Sequence, residues 1–151
     1  MKKQLLVSAL ENGTVIDHIP CDRTMDIVNL LKVYELEKTT AMVGTNLYSK
    51  KMGRKSIIKI ADKFFTDDEL NQLSVIAPDV SLCIIKNFEV VEKKQVCMPQ
   101  KLVDIVKCAN PKCITNNEPM KTIFHVTNLS NGIIKCHYCE KEQSLKEVRL
   151  K

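Results

Sequence analysis

No hydrophobic run in this 151-residue chain approaches the roughly 20 residues that a membrane-spanning helix needs. Glycine is scarce, and Gly13, Gly44, Gly53 and Gly132 are too scattered to form a G-x-x-x-x-G-K-[ST] phosphate loop. The sequence has no H-E-x-x-H pair and no serine or cysteine nucleophile beside a recognisable base motif. Internal repeats and low-complexity segments are missing too. These absences argue against an enzyme and against a helical membrane protein. Met1-Lys2-Lys3-Gln4 followed by Leu5 to Leu10 imitates a secretory signal only in part. Its apolar stretch is short, contains Ser8, and runs into Glu11 and Asn12 without a cleavage site. A cytoplasmic location is therefore expected.

Cysteine, by contrast, is plentiful, with seven residues. In a chain with no export signal, thiols serve metals more often than disulfides. Cys108 and Cys113 bracket C-A-N-P-K-C, Cys136 and Cys139 bracket C-H-Y-C, and 22 residues separate the pairs. Two close pairs joined by a hairpin-sized stretch set four thiolates at the corners of a tetrahedron, the arrangement of a structural Zn2+. A four-thiolate site leaves no open position for water, so one zinc ion here shapes protein rather than performing chemistry. His125 and His137 are the competing ligands, with a surface or turn-capping role preferred for both. Cys21, Cys83 and Cys97 fall outside the pattern and read as small buried hydrophobes or unremarkable thiols.

Residues 1 to about 92 alternate between strands and helices. Leu5 to Leu10 reads as a first strand ended by Asn12-Gly13. A helix follows Pro20, capped by Asp22 or Thr24, with Ile27, Leu30, Leu31 and Tyr34 as its buried stripe. Strands are predicted over 40–48 and 54–60. Thr66-Asp67-Asp68-Glu69 is a capping-box signature that opens a second helix, closed by Pro78. Further strands are expected over 80–85 and 88–91. The resulting order β-α-β-β-α-β, with one added strand, is the ferredoxin-like plan, so the fold class is α+β.

The charged stretch 92–101, which contains Pro99, marks a boundary between domains 1–95 and 96–151. The second domain is too small to build much core by itself, which fits its need for metal. Its expected strands, over 121–128 and 133–136 with a hairpin near Asn131-Gly132 and an added one over 144–150, describe a small all-β, zinc-ribbon-like unit.

Period-two alternation sets Lys55, Ile57 and Lys59 on one face of their strand and Ile58 and Ile60 on the other. Two ammonium groups flanking an aliphatic residue suit a phosphorylated ligand with an apolar ring, or else form a solvated face. In Gly13-Thr14-Val15-Ile16-Asp17-His18-Ile19-Pro20, Asp17 either accepts hydrogen bonds from a ribose hydroxyl or an amine, with Val15 against the base, or only pairs with His18 or caps the helix that follows. Net charge is +5, a value compatible with a polyanionic ligand or an acidic partner. A zinc-ribbon nucleic-acid-binding protein is the alternative. Lys107, Lys112, Lys135 and Lys141 partly supply the basic patch it needs, and Glu118, Glu140 and Glu142 dilute that patch.

The stretches G-T-V-I-D-H-I-P at 13–20, M-G-R-K-S-I-I-K-I at 52–60, N-F-E-V-V at 87–91, C-A-N-P-K-C and C-H-Y-C-E together resemble the regulatory chain of aspartate carbamoyltransferase. They span nearly the whole chain in order. The resemblance implies a non-catalytic subunit of pyrimidine biosynthesis, in which an N-terminal domain binds nucleotides and a zinc domain docks on the catalytic chain. It implies a regulatory homodimer bridging catalytic trimers, with CTP inhibiting and ATP often activating, and neither nucleic acid nor membrane as partner. By resemblance, Asp17 and Val15 face base and ribose, and Lys55, Lys59 and Lys93 lie along sugar and phosphates. Ala9, Leu10, His18, Ile57, Ile85 and Val90 line the same pocket. Two positions depart from well-studied members: Cys83 stands where they carry asparagine, and Phe88 where they carry tyrosine.

Overall fold

The computed structural model describes residues 9–33 and 39–151 and divides the chain into two compact units, Met1–Cys97 and Met98–Lys151. The first unit runs β1 (Gly13–Ile19), α1 (Thr24–Leu31), β2 (Ala41–Ser49), β3 (Gly53–Ala61), α2 (Asp67–Ile76), β4 (Ser81–Lys86) and β5 (Glu89–Gln95). Its five strands form one sheet in the order β2-β3-β1-β4-β5, every neighbouring pair antiparallel. This is the ferredoxin-like plan with β5 added beside β4.

Both helices cover one face of that sheet. Ile16, Ile19, Ile58, Ile60 and Leu82 from the strands meet Ile27 of α1 and Leu73 of α2 in one buried cluster. Fully burying each such side chain contributes about 1.5–3 kcal/mol. On the opposite face, Leu10, Val15 and Ile85 form a smaller cluster with Ile57, Ala61 and Cys83 packed against it.

Of the strand expected over Leu5 to Leu10, Leu5 to Ser8 lie outside the described residues; Ala9 and Leu10 are not in a strand, and the first described strand, β1, begins at Gly13. Strand β1 is central, pairing with both β3 and β4 and lying between the two apolar clusters. Its residues 13–16 are therefore all buried, and alternation, the usual strand signal, is erased. Gly13 is required where it stands. At φ +140° a Cβ there would meet the Ile60 carbonyl oxygen at 2.2 Å.

The start of α1 also differs from expectation. A 3-10 turn, Cys21–Arg23, precedes it, and Arg23 occupies the cap position with no side-chain cap bond. The Thr24 hydroxyl instead donates to the Cys21 carbonyl at 2.9 Å and meets Ser56 Oγ at 2.5 Å beneath the sheet. Tyr34 lies outside the described residues; Ile27 is buried, and Leu30 and Leu31 pack on the core. Strand β5 begins after Phe88 and continues through the charged stretch to Gln95, because an exposed edge tolerates charge.

The second unit contains β6 (Lys101–Val103), β7 (Val106–Lys107), α3 (Ile114–Asn117), β8 (Ile123–Asn128), β9 (Ile133–Cys136), β10 (Glu142–Ser144) and β11 (Arg149–Leu150). Strands β10-β9-β8-β6 form one sheet, and β11 pairs with β7. The strand expected over 144–150 is thus split by a 3-10 turn at Leu145–Glu147. Leu102, Phe124 and Ile134, all fully buried, make the core of this unit. Gly132, at φ +65°, turns β8 into β9 as the Asn-Gly pair suggests.

The capping box at α2 is complete. Thr66 Oγ1 accepts from the Glu69 amide at 3.3 Å, and Glu69 Oε1 accepts from the Thr66 amide at 3.1 Å. Thr66→Ala should lower stability by about 1 kcal/mol, read as a shift in the thermal or urea midpoint.

Candidate functional site

Two groupings of side chains stand out, one in each unit. In the first, the register of four strands builds a cross-strand row on the face without helices. Lys59 on β3 is opposite Val15 on β1, Val15 is opposite Cys83 on β4, and Cys83 is opposite Lys93 on β5. With strands about 4.8 Å apart, the two lysine Cα atoms are separated by roughly 14 Å, with apolar surface between them. Adjacent on the same face, Ile85 is opposite Gly13 and Val90, and Ile57 packs against the Leu10–Val15–Ile85 cluster.

A bulge breaks the β1–β3 register between Ile16 and Ile19, while Asp17 stays paired with Ser81 on β4. His18 takes the left-handed conformation at φ +59°. Its amide donates to Asp17 Oδ1 at 2.7 Å, and its Nδ1 lies 3.2 Å from Ser81 Oγ. Lys55 Nζ reaches Asp17 Oδ1 at 2.8 Å, with both side chains about one-fifth exposed (19% and 21%). Burial works against ionisation of Asp17, but the Lys55 bond, the His18 amide and the nearby positive charges prevail and hold its carboxyl below the usual range.

Cys83 behaves oppositely. Burial raises its thiol above the ordinary value, Asp17 adds to the rise, and Lys93 only partly offsets it. The centre of the face therefore carries a neutral thiol. Of the eleven residues expected in a nucleotide pocket, Leu10, Val15, Ile57 and Ile85 pack together. Asp17, Lys55, His18, Lys59, Val90 and Lys93 join them through the pairings above. Ala9 is exposed beside Leu10. Ser81, the partner of His18, was not anticipated, since a strand serine gives no signal in sequence.

The second grouping is the cysteine quartet. All four Sγ atoms lie within 4.8 Å of one another, with Cys108 to Cys139 and Cys113 to Cys136 each at 3.7 Å. Cys108, Cys113 and Cys136 are buried and Cys139 is half-buried. Two tight turns aim them inward. The Cys113 amide donates to the Asn110 carbonyl, and the Glu140 amide to the Cys136 carbonyl, with Glu140 at φ +61°. Asn116 Nδ2 braces the first turn by donating to the carbonyls of Cys108 and Asn110.

Burial pushes the Cys108 thiol up to about 12 and raises that of Cys136, although backbone amides donate to both sulfurs. For Cys139, burial also opposes ionisation. The Lys141 amide, the Asn110 side chain and the neighbouring thiols outweigh it, and the value falls to about 7. Backbone N–H groups directed at sulfur favour thiolates, the form that binds metal. The bracing residues Asn110 and Asn116, and Thr115, whose hydroxyl lies 3.1 Å from Cys113 Sγ, were not identified from spacing. His125 and His137 stay outside the quartet and sit 3.0 Å apart on the surface, Nε2 to Nδ1.

A family model described as "Aspartate carbamoyltransferase regulatory chain, allosteric domain" matches residues 5–97, and one described as the metal binding domain of the same chain matches residues 100–149. The chain belongs to the aspartate carbamoyltransferase regulatory chain family. It is similar over 149 residues to the regulatory chain of Phocaeicola vulgatus, with 59% identity covering 99% of this chain and 96% of that one. The regulatory chain of Bacteroides thetaiotaomicron is 60% identical over 149 residues, covering 99% and 97%. That of the archaeon Pyrococcus horikoshii is 39% identical over 146 residues, 96% of each. As a regulatory chain this protein is a non-catalytic subunit, with an allosteric domain and a metal-binding domain. The open sheet face belongs to the former and the sulfur quartet to the latter.

The depressed Asp17 value fixes the sign of a pH effect. A carboxyl whose folded pKa lies below its unfolded value of about 3.9 stabilises the fold above that pH. The contribution is lost as pH falls through the lower folded value. Wild type should therefore melt higher than Asp17→Asn at pH 7, with the gap closing only below about pH 4. A gap of equal size at pH 3 would rule out the ion pair as its source.

Proposed function

We propose that this chain is the effector-sensing subunit of a cytoplasmic aspartate carbamoyltransferase of pyrimidine biosynthesis. In this reading CTP and ATP bind the open face of the first unit, and one structural Zn2+ shapes the second, which docks on the catalytic chain. A regulatory homodimer would bridge catalytic trimers. The observation that carries the nucleotide reading is the row Lys59–Val15–Cys83–Lys93, cationic at both ends and apolar at the centre. Asp17 and Val15 take the base and ribose; Lys55, Lys59 and Lys93 take the sugar and phosphates. Ala9, Leu10, His18, Ile57, Ile85 and Val90 complete the lining. Membership in a family of regulatory chains favours this over a nucleic-acid-binding ribbon.

Zinc is supported by chemistry and distance. Thiolate bonds of about 2.3 Å to a tetrahedral ion set the sulfurs about 3.8 Å apart, close to the 3.7 Å found between the two nearest pairs. Cys108, Cys113, Cys136 and Cys139 would hold it, and its closed coordination leaves a structural role only. The protein's own part is to supply aligned sulfurs and amides that favour their charge.

Control of the catalytic chain requires the effector to bind two assembly states with different affinity, a coupling commonly worth ~1–3 kcal/mol. Co-purified with a catalytic partner, the wild-type chain should change activity on titration with CTP or ATP, and Lys59→Ala should respond weakly. An unchanged response in that variant would refute the pocket. Chelation or a mercurial should release one zinc per chain and separate the subunits by size-exclusion chromatography. An intact assembly after metal loss would refute the structural role.

A further inference from the structure

A face that needed only to attract phosphate would gain nothing from a carboxylate beside its lysines. Asp17 is such a carboxylate, and it is anchored independently of any lysine, by the His18 amide at 2.7 Å in the β1 bulge. It engages Lys55 at 2.8 Å, with both side chains mostly covered. The arrangement withdraws one cation from the face and sets a negative charge where a polyanion would approach. Lys93 is three strands away from Lys59 and belongs to the opposite edge of the row.

Resting on the nucleotide reading above, we propose that Asp17 acts as a latch that makes the site reject bare polyphosphate and accept nucleotides. The two ligand classes treat the carboxylate differently. A nucleotide brings hydroxyl or amine donors that replace Lys55 at Asp17, so Lys55 turns to the phosphates while the carboxylate stays partnered. Inorganic triphosphate brings no donor of that kind. It either leaves Lys55 on Asp17 and binds with one cation fewer, or takes Lys55 and leaves the Asp17 carboxylate with only the His18 amide as partner and a polyanion beside it. A built-in repulsive element is how specificity is commonly reached.

The test is calorimetric titration of the full chain with CTP and with inorganic tripolyphosphate at matched salt and magnesium. Wild type should bind CTP and bind tripolyphosphate far more weakly. Asp17→Asn keeps an acceptor for the His18 amide but removes the charge. It should bind tripolyphosphate about tenfold tighter and CTP more weakly, two shifts of opposite sign that general destabilisation does not produce. Asp17→Glu should restore rejection. Asp17→Ser, which removes the same charge, should shift both affinities in the same directions, and it tests the latch separately if the asparagine variant fails to fold. The latch is overturned if tripolyphosphate affinity stays level or drops in Asp17→Asn or in Asp17→Ser. If wild type binds no nucleotide, the reading beneath the latch fails, a result distinct from either of those.

Discussion

Strand β1 is the constraint on which the first unit turns. It pairs on both sides, and one face enters the helix-covered core while the other supports the candidate effector surface. The same strand therefore carries Ile16 and Ile19 for stability and Val15 and Asp17 for recognition. Its entry is so crowded that only glycine fits at position 13, where the backbone of β3 closes on it. Near its far end Asp17, still paired with Ser81 on β4, shares the face of Val15 and meets Lys55 of β3.

The second unit is organised on different terms. Its apolar core is a few residues around Phe124 and Ile134, small for a unit of 54 residues from Met98 to Lys151. The sulfur quartet compensates. Two turns braced by backbone amides and by Asn116 bring buried thiols from opposite parts of the unit within one coordination shell. A metal held there ties together segments that have little other surface to bury. The two units thus use separate sources of stability, a hydrophobic core in one and sulfur coordination in the other. That separation suits an allosteric domain joined to a metal-binding domain.

Much of this was legible from residues. The cysteine spacing pointed to the quartet because close pairs in tight turns leave few other geometries. Alternation on β3 sorted Lys55, Ile57 and Lys59 from Ile58 and Ile60, and the structure divides them the same way, with Ile58 and Ile60 buried. The threonine and glutamate of the α2 capping box needed only local chemistry. Reading failed where tertiary surroundings override local pattern. Strand β1 has no alternation because both faces are covered. Thr24 is no cap because Ser56, 32 positions away, competes for its hydroxyl. Strand β5 runs through charges because an edge exposes them.

The sequence by itself determined which chemistries are present: four thiols in two close pairs, lysines on one side of a strand, and an order of elements that builds one antiparallel sheet. Those are properties of spacing, and spacing is local. Only the tertiary structure decided which strands became neighbours. That choice set Lys59, Val15, Cys83 and Lys93 in one row and put Lys55 on Asp17. Such contacts join residues tens of positions apart, through register and a bulge, and neither is encoded by any short run of residues.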